Sequence, residues 1–120
     1  MTSLTMLRSI CFYFFLSIVS AAYGTFYQAD TMAQYCQEYI KLISLESNVN
    51  QYEAGTCFGY LSSKIEVMLL SEQLCHQEKL NLDNVVNEFI SAVKNNDDLR
   101  QQSATYVVVQ VLQDNYTCEE

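Results

Sequence analysis

The sequence is poor in the residues on which several kinds of functional site depend. Its 120 residues include 3 glycines, one histidine, 6 lysine or arginine side chains and no proline. Three dispersed glycines form no glycine-rich phosphate-binding loop. Binding to nucleic acid or to an anionic membrane surface depends on lysine and arginine, so the shortage of basic residues argues against both partners. The sequence also contains no internal repeat and no low-complexity tract.

The single histidine does not form a recognisable catalytic pair. His76 follows Cys75 directly, whereas cysteine catalysis needs an imidazole that faces the thiol in space, and neighbours in a loop rarely achieve this. The cysteines lack the short paired spacings of structural zinc sites. Carboxylates are dispersed except at Asp97–Asp98 and Glu119–Glu120. The sequence therefore predicts no enzyme, no metal site and no cofactor.

Residues 1–22 have the three parts of a cleavable export signal. Arg8 supplies a basic start, Ile10–Val19 an apolar core, and Ser20–Ala22 the small residues that a signal peptidase recognises. The apolar core is much shorter than the roughly 20 residues needed to cross a bilayer, so a membrane anchor is the less favoured alternative. We expect cleavage after Ala22 and no membrane insertion afterwards. Residues 23–120 would then form a single domain in an oxidising space such as a bacterial periplasm.

The exported domain is strongly acidic. Because Arg8 leaves with the signal and no acid does, five basic side chains remain against fourteen acidic ones, a net charge of −9. This charge favours a basic protein partner reached by electrostatic steering. The alternative is that the charge serves solubility alone.

Four cysteines remain after the signal, which takes Cys11 with it. An even number of cysteines in a small exported domain predicts two disulfides, each of which typically stabilises a fold by ~2–4 kcal/mol. The four are Cys36, Cys57, Cys75 and Cys118.

Helical periodicity predicts four consecutive helices. The first three are Thr31–Leu45, Glu53–Leu74 and Leu82–Val93. Thr31 and Gln34 fit a capping box at the start of the first helix, and Asn81 fits an N-cap of the third. The second helix carries Gly55 and Gly59 on one flank, where small residues permit a neighbouring helix to approach closely.

The fourth segment follows Asn95–Asp98, where either aspartate could cap it, and continues to Tyr116. Its Val107–Val109 run is β-branched and would suit a strand. The apolar positions also keep helical spacing, and no other strand is predicted, so a helix is favoured. The expected fold is an all-α, up-down four-helix bundle.

The bundle also predicts the cysteine pairing, although three pairings are possible in principle. The second helix ends near Cys75, and the fourth returns to that same end with Cys118. These two cysteines should therefore lie close enough to bond. Cys36 and Cys57 would then tie the first helix to the start of the second.

The arrangement of these residues resembles the Tai/Rap immunity proteins over about residues 31–118. A cysteine in the first helix is followed by the run Cys57-Phe58-Gly59-Tyr60, then by Cys75, an apolar helix and a terminal Tyr116-Thr117-Cys118. The chain departs from the family pattern in having Ser63 where a glycine is usual, in lacking the usual prolines, and in a longer spacing from Cys36 to Cys57.

The resemblance implies a periplasmic, homodimeric inhibitor of a peptidoglycan amidase effector delivered by type VI secretion. Such an amidase has a cysteine–histidine active site and cuts the bond between D-glutamate and diaminopimelate in stem peptides. The inhibitor would occlude the active-site groove by inserting a loop and a helix. An acidic inhibitor suits this role because the groove must accept an anionic peptide.

We expect the partner contact at Glu88 on the third helix and at the acidic, amide-rich loop that follows this helix. The loop residues are Asn95, Asn96, Asp97 and Asp98. The alternative for these residues is an ordinary solvated turn. Gly59 and Tyr60 are interpreted as structural residues. The glycine allows close packing, and the tyrosine ring fills the gap beside it. A dimer interface is one place where this packing could occur.

A competing interpretation is a small secreted, disulfide-stabilised helical binding protein unrelated to amidases. The glycosylation sequon Asn115-Tyr116-Thr117 would have meaning in a eukaryotic source, but such sequons often arise by chance. A cell-wall hydrolase is a third interpretation, against which the lone histidine beside a disulfide argues.

Overall fold

The computed structural model describes Met6, residues 26–75 and residues 78–118. The predicted cleavage site, Cys11, His76 and Glu119–Glu120 lie outside the described residues. Within the described residues the chain forms five α-helices and no strand. These are α1 (Ala29–Ile43), α2 (Gln51–Leu70), α3 (Leu82–Asn95), α4 (Asp97–Arg100) and α5 (Ala104–Tyr116). The predicted all-α, bundle-like domain with two disulfides is confirmed.

The core forms where the apolar stripes of the helices meet around α1. This helix packs against each of the other four. The largest fully buried side chains come from four different helices and are Phe89, Met32, Leu61 and Leu112. Each lies on the apolar face that the helical periodicity predicts, so burial of these faces is what assembles the bundle.

The predicted capping box at Thr31 is wrong, because α1 begins two residues earlier at Ala29. Its N-cap residue, Gln28, makes no side-chain capping bond. The Ala29 N–H instead donates to the Gln102 carbonyl at 2.8 Å. A tertiary bond thus satisfies one of the backbone N–H donors that an α-helix leaves without an intrahelical partner at its start.

The second helix is shifted towards the N-terminus relative to its prediction. It begins at Gln51, with the Asn50 side chain accepting from the Glu53 N–H, and it ends at Leu70 instead of Leu74. Beyond the end of the helix, the backbone of Glu72 has a left-handed conformation, with φ of 59°. The Gln73 N–H then donates to the Met68 carbonyl at 3.0 Å, which closes the helix in a Schellman motif.

The third helix has its predicted start, whereas the predicted fourth helix is interrupted. Asn81 caps α3 by accepting from the Asn84 N–H at 2.9 Å, as expected. After Asn95 the chain makes only the single-turn helix α4 before α5 begins at Ala104. Neither aspartate serves as the cap of α5, which is Ser103, accepting from the Tyr106 N–H.

The interruption has a tertiary cause. Gln28 and Ser103 form an isolated antiparallel β-bridge, and the Ala104 N–H donates to the Tyr27 carbonyl at 2.8 Å. The segment just before α5 is therefore extended, because its backbone pairs with the segment just before α1.

The prediction that the valine run is helical is confirmed. Val107 and Val108 lie in α5, and both side chains are 0% exposed.

Both predicted disulfides are present. Cys36 bonds to Cys57, and Cys75 bonds to Cys118, each pair with a Cα–Cα distance of 5.0 Å. The first joins α1 to α2, and the second joins the segment after α2 to the residues that follow α5.

No neighbouring helix among the described residues approaches the α2 glycines, so the predicted close approach is not made within the chain. A Cβ atom built on Gly55 or on Gly59 would meet nothing within 4 Å. Both positions are exposed, because the disulfide and the apolar stripe turn the opposite face of α2 towards α1.

Candidate functional site

A groove of about 570 Å³ runs between α3 and the second half of α5, and α4 borders it. Its apolar lining comes from Ala92, Leu99 and Val111. Its polar lining carries amides and carboxylates, from Asn87, Glu88, Asn95, Asn96, Asp114 and Asn115. The groove thus combines an apolar base with amide and carboxylate side chains that can hydrogen-bond to a partner.

The third helix contributes to the groove through one polar face. Asn87, Ser91 and Asn95 recur every four residues, which places them on one side of the helix. Val86, Phe89 and other apolar positions of α3 point into the core. The same amphipathic pattern that buries α3 therefore also aligns its polar side chains along the groove.

Glu88 is the best-anchored polar side chain of the groove. The Tyr116 hydroxyl donates to Glu88 Oε1 at 2.7 Å, and Asn115 Nδ2 donates to Oε2 at 3.4 Å. Tyr116 is only 2% exposed. Burial, followed by the hydrogen bond to Glu88, raises the pKa of Tyr116 to about 12, so the phenol remains a neutral donor at pH 7.

Three of the five predicted contact residues line this groove. Glu88, Asn95 and Asn96 lie along it, whereas Asp97 and Asp98 form the first turn of α4 and are exposed beside it. Asn96 also caps α4, since its Oδ1 accepts from the Asp98 N–H at 3.1 Å. Asp97 Oδ1 lies 3.3 Å from Arg100 Nη1. The turn is both solvent-exposed and held by its own polar groups.

Other residues of the groove were not predicted from the sequence. The four-residue spacing of Asn87, Ser91 and Asn95 was a signal that could have identified the α3 face. No comparable signal exists for Asp114 and Asn115, because their place in the groove depends on how α5 packs against α3.

Tyr60 lies elsewhere and links three parts of the chain. Its hydroxyl and Thr105 Oγ1 are 2.6 Å apart, which connects α2 to α5. Its ring meets Tyr27 edge-on with centroids 5.8 Å apart. Lys64 Nζ lies 4.8 Å from the ring centroid. The neighbouring Gly59 contributes an open surface beside this cluster.

The groove is suited to recognition by charge and hydrogen bonding. Glu88 and Asp114 supply two carboxylates, and no lysine or arginine is among the described lining residues.

Other kinds of site find little support in the described residues. The thiol of Cys75 is not free, because it forms the disulfide with Cys118. No group of three or more histidine, cysteine or acidic residues in the described part of the chain could hold a metal ion. No helix among the described residues is long and apolar enough to cross a membrane.

A comparison of the sequence with models of protein families gives a match that spans all five helices. The sequence model of the Rap1a immunity proteins matches residues 28–118, a span that contains all five helices and both disulfides. The chain belongs to the Rap1a immunity protein family. Membership gives it an immunity role, which is exercised by binding an effector protein. No curated protein and no solved structure matches the chain.

Proposed function

We propose that this Rap1a family member is an exported inhibitor of a peptidoglycan amidase effector delivered by type VI secretion. Residues 1–22 direct export to the periplasm, and residues 23–120 form the immunity domain. The domain blocks the active-site groove of the amidase and performs no chemistry of its own. The effector is of the cysteine–histidine type.

The observation that carries this proposal is the acidic and amide-lined groove in a member of an immunity family. An amidase that accepts an anionic stem peptide needs positive charge in its own cleft. Glu88 and Asp114 can occupy such positive positions, while Asn87 and Asn95 supply hydrogen-bonding groups beside them. Opposite charges on the two surfaces also accelerate association, because the net charge of the immunity domain is strongly negative.

The contact in this proposal is the α3–α4 turn together with Glu88. Asn95, Asn96, Asp97 and Asp98 are all exposed, and Asn96 already caps the helix that follows. Because Glu88 is oriented by Tyr116 before any partner arrives, less side-chain entropy is lost on binding. A preorganised acidic turn of this kind can enter a cationic cleft.

We also propose that the domain is a homodimer. The exposed face of α2 contains Gly55 and Gly59 with empty space above them, and Phe58 and Val67 are exposed on the same helix at 53% and 61%. This helix carries few charges, so a second acidic copy meets little repulsion there. Gly59 and Tyr60 would lie at or beside such an interface.

The test of the inhibitor function is periplasmic co-expression with the amidase encoded next to the immunity gene. We expect the full chain to prevent lysis and to form a complex that can be isolated. Lysis without a complex would contradict the amidase assignment and would point to an effector of another class for this immunity protein.

The contact is tested with two charge-matched triple variants in the same assay. The variant E88Q/D97N/D98N neutralises three acids at the turn, whereas E66Q/E72Q/E78Q neutralises three exposed acids that do not line the groove. The first should lose protection and effector binding, and the control should retain both. Equal protection by the two variants would show that the turn is not the contact.

A further inference from the structure

The two disulfides differ sharply in their accessibility to solvent. Cys36 and Cys57 are both 0% exposed. Cys118 is exposed and Cys75 is half-buried. Thiol–disulfide exchange requires a thiolate to reach one of the two sulfurs, so a reductant in solution can attack the second bond without unfolding the domain.

The accessible disulfide is connected to the groove through Tyr116. The Cys75 N–H donates to the Tyr116 carbonyl at 3.3 Å, and Cys118 lies two residues beyond Tyr116. Tyr116 and Asn115 both donate to the Glu88 carboxylate. The bond between Cys75 and Cys118 therefore ties the residues just after α5 to the segment after α2, close in sequence to the tyrosine that contacts the groove carboxylate.

We propose that Cys75–Cys118 is a redox-sensitive clamp that holds the α5 wall of the groove and with it the effector-binding geometry. This inference rests on the proposed role of the groove. Cys36–Cys57 has a different task, because it joins α1 to α2 inside the core and remains intact when the clamp opens. The protein would thus have a clamped, binding-competent state and a folded state with a loosened groove.

The opening step is a two-electron exchange with a dithiol reductant. A thiolate of the reductant attacks Sγ of Cys118, and the bond between the two protein sulfurs breaks. Cys75 leaves as a thiolate and takes up a proton. The second thiol of the reductant then closes the reductant's own disulfide and releases Cys118 as a thiol. In an oxidising compartment the reverse step keeps the clamp closed, so inhibition is confined to the compartment where the effector acts.

The clamp is tested first on the full chain without any partner. The oxidised protein is exposed to increasing dithiothreitol, free thiols are alkylated, and mass spectrometry identifies the modified cysteines. Cys75 and Cys118 should react before Cys36 and Cys57, while circular dichroism retains its helical signal. Hydrogen exchange should accelerate within residues 111–118. Simultaneous alkylation of all four cysteines with loss of helicity, or unchanged exchange at the end of α5, would overturn the proposal.

The second test measures binding to the amidase encoded next to the immunity gene. The selectively reduced and alkylated protein should bind at least about tenfold more weakly than the oxidised protein, and so should C75S/C118S. Mild reduction followed by reoxidation should restore the original affinity when alkylation is omitted. The control C36A/C57A, assayed where it is folded, should bind like the unmodified chain. Unchanged affinity after selective reduction would overturn the proposal.

The two tests separate the clamp from the function on which it rests. If the oxidised chain fails to bind the amidase, the proposed function is wrong, while the exchange measurement still decides whether the bond holds the end of α5. If C75S/C118S does not fold, the selectively reduced native chain provides the same comparison.

Discussion

At the residue scale, Tyr116 connects the core to the groove. Its ring is buried with the apolar side chains of α5, while its hydroxyl donates to a carboxylate that faces the groove. Tyr39 makes the equivalent connection at the start of α3, where its hydroxyl donates to Asp83 Oδ1 at 2.7 Å. A buried phenol can be kept in an apolar core because its one polar group has a partner at the surface.

Replacing Tyr116 by phenylalanine should lower the free energy of unfolding by about 1.5–3 kcal/mol, because a hydrogen bond to a charged acceptor is lost while the ring remains packed. Urea denaturation at pH 7 measures this change. Tyr106→Phe is the matched control, since Tyr106 lies on the same helix, is 50% exposed and has no side-chain hydrogen bond in the described structure. Equal effects of the two substitutions would contradict the role of the Tyr116 hydroxyl.

Tyr39 and Tyr116 also predict how stability depends on alkaline pH. Burial, followed by the hydrogen bonds to Asp83 and Glu88 respectively, raises the pKa of the Tyr39 and Tyr116 phenols from 10.0 to about 12. A raised pKa means that the folded state holds the proton more tightly. The contribution is therefore complete below about pH 10 and is lost as the pH rises through about 12.

Urea denaturation at a series of alkaline pH values measures this loss, which should be on the order of 2 kcal/mol per tyrosine. The double variant Y39F/Y116F has no phenol at either position, so its free energy of unfolding should fall much less over the same interval. A parallel fall in the variant and the native chain would assign the alkaline transition to other groups.

At the element scale, helix boundaries follow local and tertiary causes in different places. The start of α3 is determined by a local interaction, because the Asn81 side chain caps the helix. The start of α1 is determined by a tertiary contact, because the Ala29 N–H donates a hydrogen bond to the Gln102 carbonyl. The same pairing ends the helical run after α4 and delays α5 to Ala104, which no periodicity in the sequence reveals.

The exposed glycines of α2 give a prediction at this scale. Gly59→Ala should stabilise the monomer by about 0.5–1 kcal/mol, because alanine favours the helix and its Cβ would meet no atom within 4 Å. Denaturation at low protein concentration measures this gain. If a second copy covers α2, the same substitution should weaken the dimer, which sedimentation measures over a concentration series. Destabilisation of the monomer would contradict the open surface seen at this position.

At the scale of the whole molecule, the two disulfides join different parts of the bundle. Cys36–Cys57 holds α1 and α2 together within the core, whereas Cys75–Cys118 joins the segment after α2 to the residues that follow α5. The acidic groove is lined by residues near the end of α5. The proposed clamp depends on this closeness in sequence between the second disulfide and the groove.

Loss of either disulfide should destabilise the domain without abolishing its helices. The sequence separations are 21 and 43 residues, for which loop-closure entropy gives about 3 and 4 kcal/mol. C36A/C57A should lose additional packing energy, because both of its cysteines are fully buried. Urea denaturation of both double variants measures the two losses. A variant that is as stable as the native chain would show that its crosslink contributes nothing to the fold.

The sequence by itself determined the all-α class, the core faces of the helices and the cysteine pairing. These follow from helical periodicity and from an up-down order that brings Cys75 and Cys118 to one end. The residues of the cysteine-glycine-tyrosine run also led to the family that the sequence comparison then matched. Glu88, Asn95 and Asn96 could be grouped from the sequence because Glu88 lies on one predicted helix and Asn95 and Asn96 follow that helix closely.

Only the tertiary structure decided which other residues complete the groove and where two helices begin. Asn115 reaches Glu88, and Asp114 lines the same groove, because α5 packs against α3. Glu88 is about one quarter of the chain away from both residues, so no local sequence pattern links them. The β-bridge between Gln28 and Ser103 likewise joins distant segments. Local patterns encode the faces of helices, whereas contacts between distant segments depend on how those faces pack together.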